Sequence, residues 1–150
     1  MRRAPERGIG AAATVRTAAF VERLMRAGPP VVDPDERLAT AAARMREAWI
    51  GALPVVQSGQ LVGLLTERDF LLAVADGLST DVVRVGSYMR RVPCVIGPEA
   101  GAAEAAARMV ELRVRHLVVV REGDVVGLLS AADILGEWGV PPELLGDEQP

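Results

Sequence analysis

Two short phrases in this chain carry a hydroxyl and a carboxylate at the same spacing: Thr66-x-x-Asp69 within LLTERDF and Ser130-x-x-Asp133 within LLSAADI. An apolar run precedes each, so each hydroxyl stands where a helix would begin. Two chemistries are open to such a pair. The side chains can satisfy orphan N–H groups of the first turn reciprocally, as a capping box. They can also face a ligand, because a carboxylate offers about four lone-pair sites to donor hydroxyls. The first-turn N–H groups and the helix dipole would in turn favour an anion such as phosphate. The two roles are compatible.

Other reactive chemistry is sparse. His116 is the only histidine and Cys94 the only cysteine. An internal disulfide, a CxxC motif and a cysteine-based zinc site are therefore excluded, and no histidine pair stands at metal spacing. Cys94 aligns with Pro30 at a strand start and reads as a small packed residue. No GxSxG, Walker A loop or GxGxxG follows a strand. The expectation is a protein that is not an enzyme and needs no cofactor. All 17 basic residues are arginine, yet the formal net charge is −3 and the pI about 5.2. General electrostatic binding to nucleic acid or to an anionic membrane has no support in that balance. No apolar run approaches the roughly 18 residues of a membrane span, and MRRAPERGIGAAA lacks the apolar stretch of a secretory signal. A cytoplasmic location is expected.

The elements that position the two motifs come in duplicate. When Val21 to Phe70 is paired with Val85 to Ile134, 22 of the 50 pairs are identical and no gap is needed. Repeats at a fixed period signal one supersecondary unit used more than once. In each unit a short apolar piece (PPVV from Pro29, PCVI from Pro93) precedes Asp33-Pro34 or Gly97-Pro98. Leu38, Ala42, Met45 and Trp49 then fall at helical spacing, as do Ala102, Ala106, Met109 and Arg113. LPVV and LVGLL around QSGQ, and LVVV and VVGLL around REGD, predict antiparallel hairpins. A second helix starts at Thr66 or Ser130. The predicted order is strand, helix, strand, strand, helix, after a short helix near Thr17 to Met25 that is echoed near Asp81 to Tyr88.

The reading is thus an α/β (α+β) protein of two pseudo-two-fold-related units with their sheets packed against each other. Its parts are a tail over 1–16, repeat 1 over 17–76, repeat 2 over 81–138 and a tail over 139–150. One unit of about 55 residues buries too little apolar surface to stand alone, so the two must cover each other. That pairing leaves a cleft between equivalent edges.

On these residues the chain resembles the CBS-domain pair, or Bateman module. The carriers are Gly63-Leu-Leu-Thr-Glu-Arg-Asp69 and Gly127-Leu-Leu-Ser-Ala-Ala-Asp133, with Leu53-Pro54-Val55-Val56 upstream and Met25 or Met89 before a proline-bearing segment. The resemblance spans about residues 17 to 138. It implies a regulatory sensor of adenosine-containing ligands (AMP, ADP, ATP or S-adenosylmethionine) that has no fused effector domain and acts in trans on an unknown protein.

Carried over, the resemblance gives Asp69 and Asp133 the ribose hydroxyls, and Thr66 and Ser130 the ribose or phosphate. Val31, Val32, Val55, Val95, Ile96 and Val119 become the adenine slot. Basic residues at the strand entrance reach phosphates in such modules, so Arg115 and His116 are the phosphate candidates, with Arg68 a third. Many members carry a threonine where this chain has Val31 and Val95, which removes one polar contact from each site. The alternative is a ligand-free dimerisation module in which both motifs are only caps. Small-residue stripes at Ala39, Ala43, Ala103 and Ala107 suit the paired helices of related dimers, so a homodimer with two-fold symmetry is expected.

Overall fold

The computed structural model describes residues 19–91 and 94–141. The chain runs through α1 (Val21–Leu24), β1 (Arg26–Ala27), α2 (Leu38–Ala48), β2 (Ala52–Gln57), β3 (Gln60–Thr66) and α3 (Glu67–Ala75). After a 3-10 turn at Val85–Ser87 come β4 (Val95–Ile96), α4 (Ala102–Leu112), β5 (His116–Arg121), β6 (Asp124–Ser130) and α5 (Ala131–Glu137). The expected tail over 1–16 and residues 142–150 lie outside the described residues.

Both hairpins close on two residues of positive φ, Ser58 and Gly59 (51° and 79°) and Glu122 and Gly123 (51° and 91°). Positive φ at both central positions is the type I′ turn, whose twist matches that of the flanking strands. Register then follows: Leu53 faces Leu65 and Leu117 faces Leu129. Each pair puts two fully buried leucines on one face of its hairpin.

The long helices bury Leu38, Ala41 and Met45 in one repeat and Ala102, Ala105 and Met109 in the other. Trp49 and Arg113, expected to prolong those faces, instead leave the helix at φ 51° and 54°. A left-handed residue after the last turn reverses the chain, and the next apolar residue drops back onto the helix. Thus Ile50 N–H donates to Met45 O at 3.1 Å, and Val114 N–H to Met109 O at 2.9 Å. Trp49 is left 56% exposed.

The expected first strands are shorter than the sequence suggested. PPVV contributes one bridge, Val32 to Val55, and PCVI contributes the two residues of β4. Pro29 and Pro30 lack the N–H that a ladder requires.

Strand exchange joins the repeats. The larger sheet has the order β1-β6-β5-β4, so the segment leading into repeat 1 completes the sheet of repeat 2. Reciprocally, Arg90 pairs with Leu64 at the edge of the β2–β3 sheet through bonds of 3.0 and 2.9 Å. The two cores are exchanged in the same way. Val21 is buried among repeat 2 residues, and Val85 among Leu38, Leu53 and Leu65 of repeat 1. Neither repeat can close its core without the other.

Candidate functional site

Thr66 and Ser130 are the last residues of β3 and β6 and the N-caps of α3 and α5. Both motifs form a capping box. Ser130 N–H and Oγ–H both donate to Asp133 Oδ2 at 2.7 Å, and Asp133 N–H donates to Ser130 Oγ at 3.2 Å. In repeat 1, Thr66 N–H and Oγ1–H donate to Asp69 Oδ2 at 2.7 and 3.1 Å. The cap engages one oxygen of each carboxylate, which does not exhaust its lone-pair sites.

Around the repeat 2 motif lies a cleft of about 910 Å³. Four of the expected site residues meet there: Arg115, His116, Ser130 and Asp133. Their meeting follows from register. His116 opens β5 opposite Ser130 at the end of β6, and Ala131 N–H donates to Arg115 O at 2.9 Å. The start of β5 is thereby tied to the start of α5, and His116 is half-buried where the repeats meet.

Repeat 1 makes room for that histidine. A Cβ on Gly51 would come within 3.3 Å of His116 Cε1 and Nε2, and within 3.4 Å of the Glu67 carboxylate carbon. The smallness of Gly51 is what admits the ring. The cleft also gathers Arg26, Arg46 and Glu67, none of which the motif reading had named. Arg26 had left a trace in the sequence, since Met25-Arg26 recurs as Met89-Arg90. In both copies that arginine donates to the last carbonyl of the long helix ending beside it: Arg26 to Ala48 O, and Arg90 to Leu112 O at 3.3 Å.

Thr66, Asp69 and Arg68 do not line this cleft. Nor do the six residues assigned to the adenine slot. Val32, Val55, Ile96 and Val119 are buried in the two cores, because strand alternation turns them under the helices. Val31 is exposed and Val95 half-buried, and their carbonyls accept from Arg44 and Arg108 at 3.0 and 2.7 Å. The apolar wall of the cleft comes instead from Met45, Trp49, Ile50, Phe70, Leu128 and Leu135.

Among the described residues no helix is long and apolar enough to cross a membrane, and no group of three or more potential metal ligands is present.

The family model for the CBS domain matches residues 21–76 and 85–138. Hypoxic response protein 1 of Mycobacterium tuberculosis is 35% identical over 113 residues, covering 74% of this chain and 79% of that protein. An inosine-5'-monophosphate dehydrogenase of Korarchaeum cryptofilum is 35% identical over 104 residues, but the chain spans only 21% of that enzyme's length. A crystallised CBS-domain protein superposes with a TM-score of 0.76 at 30% identity, over 81% of this chain and 98% of that one. Another solved structure is a CBS-domain pair in complex with methylthioadenosine and S-adenosyl-L-methionine. It has a TM-score of 0.72 at 23% identity, over 81% of this chain and 96% of that one.

Proposed function

The chain belongs to the CBS-domain family, and we propose that it senses an adenosine-containing nucleotide in the 910 Å³ cleft beside Ser130 and Asp133. The reading rests on one observation: a carboxylate, a hydroxyl, a helix start and three arginines share a cleft with an apolar wall. Each has a counterpart in a nucleotide. The Asp133 carboxylate can accept from ribose hydroxyls. Arg26, Arg46 and Arg115, with His116, supply donors to phosphate, and Trp49 and Phe70 offer aromatic surface to a purine. Pockets of this size hold small ligands of that class. The complex of a pair with the same fold and adenosine compounds supports the choice by analogy.

The ligand acts in this reading as a regulatory signal, passed to a separate protein by a homodimer. A thermal-shift panel of AMP, ADP, ATP, S-adenosylmethionine and NADH tests it. A ligand at a hundred times its Kd stabilises the folded state by about 2.7 kcal/mol, which at this length raises Tm by roughly 5–10 °C. Asp133→Ala should erase most of that shift and cost only about 1 kcal/mol in the free protein. Asp69→Ala should affect binding less. If no adenine compound moves the melt and both variants lose only cap-sized stability, the motifs are helix caps and the module is a ligand-free dimerisation unit.

A further inference from the structure

The internal repeat provides its own control for a second cleft, at the opposite, hairpin end of repeat 1. At the repeat 2 end, Arg121 pairs with Glu22 at 3.2 Å and Glu99 at 3.4 Å. Sixty-four residues away the same three positions are Gln57, Gly86 and Asp35, so the clamp is missing. There a cleft of about 420 Å³ opens, lined by those three residues together with Arg84, Ser87 and Arg91. Arg84 and Arg91 stand where the other end has Phe20 and Ala27. Repeat 1 therefore lacks the ion cluster of repeat 2 and carries two arginines there instead.

Those arginines are held in position. Arg84 donates to the Asp35 main-chain carbonyl, and Arg91 Nη2 donates to Gly86 O at 3.3 Å. A guanidinium has five N–H donors in a planar fork, so each retains donors for an oxyanion. A bare anion would meet the Asp35 carboxylate with nothing to offer it. A ligand that joins an anion to hydroxyl groups satisfies both, with Asp35, Gln57 and Ser87 as its hydroxyl partners.

The geometry points to a binding site for a small polyhydroxylated phosphate ester, of pentose-phosphate size, separate from the Ser130–Asp133 cleft. Titration of 15N-labelled protein with ribose 5-phosphate tests the assignment, with ribose and inorganic phosphate in parallel. The expected result is saturable shifts at the amides of Gln57, Gly86 and Ser87, with inorganic phosphate weaker and ribose silent. The double variant R84Q/R91Q should weaken binding at least tenfold, and Gln57→Glu, which adds a charge at an exposed strand end, should weaken it also. Dispersed spectra of the variants establish that they fold. The site is overturned if shifts fall at Ser130 and Ala131 instead, if no saturable shift occurs, or if the double variant binds equally well. Inorganic phosphate binding as tightly as the ester overturns the assignment of ligand class.

Discussion

Met25 lies across the face of Gly127, and Met89 lies across Gly63 in the same way. A Cβ on Gly127 would stand 2.9 Å from Met25 Cγ, and a Cβ on Gly63 would stand 2.9 Å from Met89 Sδ. Each methionine precedes the exchanged residue that pairs with the other repeat's sheet. The glycine of each VGLL is thus the seat of a side chain from the other repeat.

The two seats should tolerate alanine unequally. At Gly63 the new methyl would also meet Arg90 O at 2.8 Å, a backbone atom held by its own pairing with Leu64. At Gly127 the three nearest atoms are Sδ, Cγ and Cβ of Met25, the sulfur nearest of all, and the sulfur and Cγ can move by rotation of that side chain. Gly63→Ala should cost about 1–3 kcal/mol, in the range of overpacking, and Gly127→Ala should cost less. Urea midpoints of the two variants compare them.

Self-association should depend on the outer helix faces. Leu71 and Val74 on α3 and Val110 on α4 are 67%, 62% and 78% exposed, and Leu135, the repeat mate of Leu71, is exposed on α5. An exposed apolar residue at equivalent positions of α3 and α5 is suited to an isologous contact with a second copy. The stripe Ala39, Ala43, Ala103 and Ala107 lies on α2 and α4, half-buried in repeat 1 and exposed in repeat 2. Light scattering should give twice the 15.9 kDa chain mass, and the pair Leu71→Arg with Val110→Asp should return it to the monomer. A wild-type monomer at micromolar concentration would end the homodimer proposal.

Glu36 should make a small contribution to acid sensitivity. Its carboxylate accepts two Arg44 bonds, at 2.6 and 2.7 Å, and one from Asp33 N–H at 2.8 Å. The Arg44 bonds, more than any other contact, hold its pKa below the ordinary 4.5. A carboxyl with a depressed folded pKa contributes stability above its unfolded value, and loses it as pH falls through the folded one. Unfolding midpoints between about pH 3 and about pH 6 should therefore be less pH-dependent in Glu36→Gln than in wild type. The pair is partly exposed, so the difference should be small.

Tyr88 is the only tyrosine, so its phenol can be followed alone by ultraviolet absorbance. Its O–H donates to Asp76 Oδ2 at 2.6 Å, and that bond raises its pKa above the ordinary 10.0. Removing the proton would set a phenolate against a carboxylate. Asp76→Asn should lower the titration midpoint, and an unchanged midpoint would mean that the bond does not persist in solution.

Residues adjacent in the chain determined the hairpins, the helix starts and the family. Ser58-Gly59 and Glu122-Gly123 specify their turns through backbone dihedrals, and Thr66 and Ser130 specify caps by reaching only three residues along. The exact 64-residue spacing of 22 identities made the duplication visible without any structure. Such features are local or periodic, and a linear string preserves them.

The tertiary structure alone decided which segments meet. That Arg26 pairs with Leu128 rather than within its own repeat is a contact across about a hundred positions, and no short-range preference encodes it. The same holds for the cleft. Trp49 continues a helical spacing that suggests core, but a left-handed turn placed it outside, in a cleft that a histidine of the other repeat also lines. Val32, Val55 and Val119, assigned to the ligand, went under the helices, because two faces of a strand differ only in what packs on them. Gly51, a blank in the sequence, matters because His116 and Glu67 occupy the space that its missing side chain leaves.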